Sequence, residues 1–270
     1  MQVQRFNFKF SSFLESTPPF FEKKDYVKPN QVDECVQGFV DCTISEYYLW
    51  GCCNMPLAWE WYVNETDSIE QYEHFKRSMS VPFVRNQVKK TCSAVVLKSP
   101  HHSVKLKTIL NVYDSPTFVW LHRDLEDVVG STCSMNITVQ ECVNMSYEDK
   151  KIIGKRTLHS LANAMNKAVK DRIEMENNNN NNVQFIDIFQ PELRNDPLKA
   201  INKVYSALNI NVSNDFIEKL KNDTIERKKK RKTMNNKNHK YSISEFGLSL
   251  EDINNAFHTY NEMVQRFSEI

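Results

Sequence analysis

The sequence predicts an α/β fold, one parallel sheet with helices on both faces, and three observations predict it. Short apolar stretches rich in β-branched and aromatic residues (94–97, 117–121, 183–189) alternate with longer stretches of helical periodicity. The first two of those strands enclose one amphipathic stretch, so strand, helix and strand fall within some 30 residues. Such a βαβ unit is expected to cross over right-handed with its strands parallel. A chain of 270 residues also has ample length to bury a core, and we treat 1–270 as a single domain.

Each element has its own justification. Residues 1–33 are polar and aromatic, and Pro18, Pro19 and Pro29 break regular structure there. Residues 34–90 read as helical in pieces. Within 67–83, Ile69, Tyr72, Phe75 and Met79 recur at helical spacing, and Pro82 marks the end. Residues 94–97 form a short buried strand. A helix over 102–113 presents Val104, Leu106, Ile109 and Leu110, and Asp114-Ser115-Pro116 turns the chain into the 117–121 strand. Another helix starts at about Leu125, with Val128, Val129 and Thr132 on one side.

The second half repeats the alternation. Leu158, Leu161, Met165, Ala168, Val169 and Ile173 make an amphipathic helix that ends at the asparagine run 177–182, a low-complexity surface insert. After the 183–189 strand, Asp196 caps a helix with Pro197 at its first position and Leu198, Ile201, Tyr205 and Leu208 inward. Ser249 caps a last helix carrying Leu250, Ile253, Phe257, Tyr260, Val264 and Phe267.

Composition narrows the function classes. Only five residues are glycine, and they are scattered singly, so neither standard glycine-rich phosphate loop can be written. Walker-type ATPases and dinucleotide dehydrogenases are thereby excluded. The 35 Lys+Arg balance 34 Asp+Glu to a net charge of +1, which points to neither nucleic acid nor a membrane surface. No apolar run approaches the roughly 20 residues of a membrane span, and MQVQRFNFKF has no signal-peptide core. A cytoplasmic location is expected. Seven cysteines, none in a C-x-x-C pair, read as reduced thiols buried as small apolar groups, with no metal site. The five N-x-[ST] sequons (Asn64, Asn136, Asn144, Asn211, Asn222) follow from the asparagine-rich composition.

In parallel sheets, ligands bind beyond the carboxyl ends of the strands. That rule selects Leu97-Lys98-Ser99-Pro100-His101-His102 and His122-Arg123-Asp124, where imidazoles, a lysine and an arginine would converge with helix N-termini behind them. Such a site suits a polyanion. The competing reading makes them solvated loop residues.

The same residues resemble a known family. Leu97-Lys98-Ser99-Pro100-x-His102, then Leu121-His122-Arg123-Asp124 with Ser131 eight beyond the arginine, is similar to the sulfotransferase branch whose motif reads L-K-S-P-x-H … H-R-D-P … S. Asp196-Pro197 through Tyr205-x-x-Leu208 resembles that branch's D-P … Y-x-x-L-G helix. The run from His239 through Leu248, followed by Tyr260, resembles its closing segment. The resemblance covers roughly residues 30–267 in order.

It implies a P-loop nucleoside triphosphate hydrolase-like fold that binds 3'-phosphoadenosine 5'-phosphosulfate (PAPS) and transfers its sulfuryl group to a hydroxyl or amine of a small acceptor. Carried over residue by residue, Arg123 and Ser131 would hold the 3'-phosphate. Lys98 would stabilise charge on the transferring group, and His102, rather than His101, would be the general base.

Departures from the pattern are specific. The family's loop for the 5'-phosphosulfate, of the type R-S-G-T-T or P-K-S-G-T, has no counterpart before Lys98; the nearest fragment, Lys9-Phe10-Ser11-Ser12, lacks glycine. A cradle of successive amides needs a residue free to adopt positive φ. The chain is therefore expected to begin downstream of the family's first strand, leaving a sheet edge for a homo-oligomer or another partner to cover. Leu125 replaces the motif proline, and Asn209 the glycine after Leu208. The basic run Arg227-Lys228-Lys229-Lys230-Arg231-Lys232, within a loop expected over 226–240, reads as solvated, phosphate-binding or nucleic-acid-binding. Trp59, Trp61, Tyr47 and Tyr48 read as core or acceptor-pocket wall, and Asp33 and Glu34 as a surface pair or an acceptor-side carboxylate. Two other functions stay open: a catalytically inactive binding or scaffold protein on the same fold, and a nucleic-acid-associated protein using the basic run.

Overall fold

The computed structural model describes Cys35, Phe39 and residues 55–85, 95–142, 149–178, 183–234 and 242–268. The elements in chain order are α1 (Pro56–Asn64), α2 (Ile69–Arg85), a 3-10 turn over Pro100–Lys105, α3 (Leu106–Val112), β1 (Thr117–His122), α4 (Leu125–Cys142) and α5 (Lys150–Asn177). There follow β2 (Gln184–Phe189), α6 (Gln190–Asn195), α7 (Pro197–Ala207), α8 (Asn214–Met234), a second 3-10 turn over Ile243–Phe246, α9 (Leu250–Ala256) and α10 (His258–Ser268). The chain is mostly helical, with a small parallel sheet.

β1 and β2 pair in parallel, from Thr117 opposite Gln184 to His122 opposite Phe189. Because side chains alternate, Phe118, Trp120 and His122 share one face with Phe185, Asp187 and Phe189. That face packs toward α5 and α10, where Trp120 meets the cluster containing Val169, Phe257 and Tyr260. On the opposite face Ile186 and Ile188 are buried under Ala200, Leu193, Val204 and Ala207 of α6 and α7. The described sheet thus has helices on both faces.

α5 is the axis of this arrangement. Asp149 caps it by accepting the Lys151 amide at 2.9 Å. Trp59 on α1 reaches the Ser160 carbonyl, and Asn136 on α4 donates to Thr157 at 3.0 Å. A Cβ on Gly154 would stand 2.2 Å from the Phe246 carbonyl oxygen. Only glycine lets the 3-10 turn of the closing segment lie this close to α5. Gly247 then leaves that turn at φ +66°, and Ser249 opens α9 with a capping box to Asp252.

Several expectations need correction. Residues 95–97 are not a strand: Val95 and Val96 are 53% and 91% exposed, and the backbone of Lys98 bonds Cys35 instead. β-Branched composition favours strands only where a ladder partner and a buried face exist. The parallel unit therefore forms between β1 and β2, across α4 and α5. Pro82 does not end α2, which continues to Arg85; near a terminus a proline forfeits one backbone bond and few turns depend on it. The 226–240 segment is not all loop, since the basic run lies in the last turns of α8. On α7 the inward residues are Ala200, Val204 and Ala207, whereas the Tyr205 ring lies tilted against Phe216 of α8 at 5.7 Å. The last helix is two helices, broken at Phe257, whose buried ring fills the core at the bend.

The two motif departures have local explanations. Leu125 occupies the first position of α4, where a proline is favoured but not required. Asn209 sits at φ +53°, just past α7. Asparagine tolerates that left-handed conformation better than other non-glycine residues.

Candidate active site

The 97–102 segment enters the fold through Ser99, extended at φ −160°, and Pro100 then starts the 3-10 turn. Backbone bonds in both directions fix Lys98: its amide donates to Cys35 Sγ at 3.0 Å and its carbonyl accepts the Cys35 amide at 2.8 Å. At the far end of the turn, buried Lys105 donates from Nζ to the carbonyls of Tyr62 and Thr66 and to Thr66 Oγ1. Those acceptors lie at the C-terminal end of α1, where helix carbonyls lack intrahelical partners. Lys105 therefore locks the turn onto α1.

The two adjacent histidines diverge. His101 pairs Nδ1 with Ser99 Oγ at 3.1 Å and lies edge-on to Trp59. His102 pairs Nδ1 with the Tyr72 hydroxyl of α2 at 2.8 Å, and its Nε2 is buried with no hydrogen-bond partner. Burial lowers both pKa values to about 4, with the neighbouring His102 adding to the effect at His101. Both rings are neutral at pH 7.

Arg123 follows β1 and Ser131 lies half-buried near the end of the second turn of α4. The Arg123 guanidinium makes one long contact, Nη2 to Asp127 at 3.4 Å, and its Nε is buried without a partner. Among the described residues four buried side-chain polar atoms lack partners, and two are His102 Nε2 and Arg123 Nε. Buried polar groups are nearly always bonded, so these unmet atoms stand out; the other two are Asn136 Oδ1 and Asn166 Oδ1. The structure sets Lys98 and His102 on one segment and Arg123 and Ser131 on another.

His122 behaves differently from its neighbour. It is 3% exposed and turned inward, with Nε2 2.8 Å from Asp187 and Nδ1 2.8 Å from the Tyr260 hydroxyl. Arg172 of α5 forks the same carboxylate at 2.6 and 2.8 Å and stacks over Trp120, Phe185 and Phe267. Burial pushes the Asp187 carboxyl up, but hydrogen bonds from Arg172 and His122 outweigh it and hold the pKa at about 2. Burial, with Asp187 nearby, pushes Tyr260 up to about 12. A neutral His122 satisfies all partners by donating Nε2–H to Asp187 and accepting the Tyr260 proton at Nδ1. His122 thus belongs to the core and braces the end of β1 from which Arg123 extends. Sequence reasoning missed Arg172 and Asp187; a charge at a core-facing position of α5 and another inside an apolar strand were the available signals.

Trp59 is buried core, whereas Trp61 is 44% exposed. Cys133 is a buried free thiol, as read, and Cys35 is a half-buried one. Asn136, one of the sequons, is buried in the core. A cavity of about 510 Å³ between α5 and residues 247–256 is lined by Lys155, His159, Asn163, Asn166 and Asp252, among others, but by none of the residues selected above. Tyr47, Tyr48, Asp33, Glu34, the Lys9–Ser12 fragment, His239 and the 177–182 run, apart from Asn177 and Asn178, lie outside the described residues. Among the described residues, no group of three or more His, Cys, Asp or Glu is placed to hold a metal ion, and no helix is long and apolar enough to cross a membrane.

The chain is an α/β protein that sets Arg123 at the carboxyl end of its parallel sheet and, on a separate turn, a buried imidazole with an unmet nitrogen. The family comparison agrees: the model of the sulfotransferase family matches residues 8–214, most of the chain. The chain belongs to the sulfotransferase family. No curated protein and no solved structure matches it.

Proposed function

We propose that the protein transfers a sulfuryl group from PAPS to a hydroxyl or amine of a small acceptor. One observation carries this reading. The buried atoms left without partners include Arg123 Nε and His102 Nε2, the groups required to hold the donor's 3'-phosphate and to take the acceptor's proton. Arg123 supplies a planar fork and Ser131 a hydroxyl for phosphate oxygens. His102 Nε2 takes the proton as the acceptor atom bonds to sulfur. The bond from sulfur to the bridging phosphate oxygen breaks, and its electron pair leaves with 3'-phosphoadenosine 5'-phosphate (PAP). Lys98 lowers the energy of the charge that builds on the sulfuryl and bridging oxygens.

A pKa of about 4 makes His102 a weak base in the free protein. A bound polyanion favours the imidazolium and moves that value toward neutrality, where general-base catalysis is most effective. The base therefore strengthens when the donor is in place.

A second reading is nucleotide binding without transfer, which the unmet Arg123 nitrogen would serve equally well. Isothermal titration with PAP, followed by a radiolabelled sulfate-transfer assay on a panel of phenols, alcohols and amines, separates the two. Binding that weakens by about 1.5–3 kcal/mol in Arg123→Ala supports the site. Transfer to any panel member establishes the enzyme, and binding with no transfer favours the second reading. Absence of PAP binding, or binding indifferent to Arg123→Ala, defeats the site assignment.

A further inference from the structure

We propose that Tyr72 is a positioning residue for His102, accepting Nδ1–H on its hydroxyl oxygen so that the lone pair stays on Nε2. The inference rests on reading His102 as the base. A neutral imidazole carries one proton, and the partner of one nitrogen decides the state of the other. The Tyr72 hydroxyl lies 2.8 Å from Nδ1, whereas Nε2 has no partner. Tyr72 is therefore the side chain positioned to choose the tautomer.

Its own position is rigid. Tyr72 is 1% exposed, packed with Phe75, Ile109 and Val112, and meets Phe39 edge-on at 5.0 Å. Phe39 also lies edge-on to His102 at 6.2 Å, so two aromatic rings frame the imidazole. A hydroxyl oxygen serves both states of the cycle, because it accepts Nδ1–H from the neutral ring and equally from the imidazolium formed after proton transfer. Among the described residues no donor reaches Nε2 to compete for its lone pair. No sequence motif marks Tyr72, which lies on α2, well before Lys98 in the chain, and reads from its spacing as core.

Long-range nitrogen–proton NMR on protein labelled with 15N-histidine tests the assignment at pH 7, with the His102 signals identified by their loss in His102→Gln. The expected result is Nδ1–H in the wild type and a mixed or Nε2–H population in Tyr72→Phe. In the transfer assay, Tyr72→Phe is expected to lower kcat about tenfold with PAP affinity unchanged. An Nε2–H tautomer in the wild type overturns the proposal, even if the variant fails to fold; so does Nδ1–H retained in Tyr72→Phe. Should His102→Ala leave turnover intact, the base reading fails while the tautomer measurement still reports on the Tyr72–His102 pair. Loss of turnover in His102→Ala with no change in Tyr72→Phe overturns only the positioning role.

Discussion

Arg172 grips both carboxylate oxygens of Asp187, at 2.6 and 2.8 Å, from a helix on one face of the sheet to the strand beneath it. The guanidinium is 3% exposed and the carboxylate 14%. Breaking such a pair leaves an uncompensated buried charge, so Arg172→Ala is expected to lose about 3–5 kcal/mol in urea denaturation at pH 7. The carboxyl is held at about 2, below its ordinary 3.8. Its contribution is therefore complete above about pH 4 and fades as pH falls through 2. The gap between wild type and variant should narrow by about 2 kcal/mol over that window.

The imidazole of His102 gives a second, functional pH dependence. With its pKa lowered to about 4 by burial, His102, the proposed base, stays deprotonated well below neutrality in the free protein. The acid limb of kcat/KM is expected near pH 4 rather than 6.5, with the limb of kcat displaced upward by the bound donor. A kcat/KM limb near 6.5 would show a solvated base.

Asp127 sets the electrostatic background of Arg123, which it contacts at 3.4 Å while half exposed. In the proposed site the donor's 3'-phosphate would share the guanidinium with this carboxylate. Asp127→Ala is expected to tighten PAP binding by about 0.2–1 kcal/mol, read by titration, the range for an exposed pair.

Lys105 fastens the histidine-bearing turn to α1. Lys105→Met fills similar volume but removes the Lys105 donor from the Thr66 carbonyl, while the Tyr62 carbonyl keeps the Thr66 hydroxyl. The expected loss is about 1–3 kcal/mol in chemical denaturation. Transfer activity measured on the remaining folded protein should drop more than PAP affinity, because the turn carries His102 and not Arg123.

Asn209 stands where the family pattern has glycine, at φ +53°. Asn209→Ala should lower stability by about 1 kcal/mol, whereas Asn209→Gly should change it by less than about half that. Thermal unfolding of the two variants distinguishes a backbone requirement from a side-chain contact.

Much of the fold was legible along the chain. β1, β2, α5, the Asp196-Pro197 start of α7 and the Ser249 cap fall where periodicity and capping chemistry place them, because those signals are local. Val95 and Val96 misled, since a β-branched pair becomes a strand only where another strand offers a ladder and a face to bury. The basic run misled in the opposite direction: α8 has no strongly apolar stripe, and helical continuity rather than periodicity carries it to Met234.

The strand-end rule pointed to the loops of Lys98, His101, His102 and Arg123, and the family resemblance added Ser131 and preferred His102 over His101. Tertiary structure alone decided that His122 turns inward to Asp187 while Arg123, the next residue, keeps an unmet nitrogen. It also decided that Tyr72, read as core, touches the imidazole, and that Arg172 and Asp187, fifteen residues apart, meet across a helix and a strand. Alternation along β1 dictates only that neighbouring side chains point to opposite faces. Which face meets charge, aromatic ring or ligand depends on elements distant in sequence, and that is settled only when the chain packs.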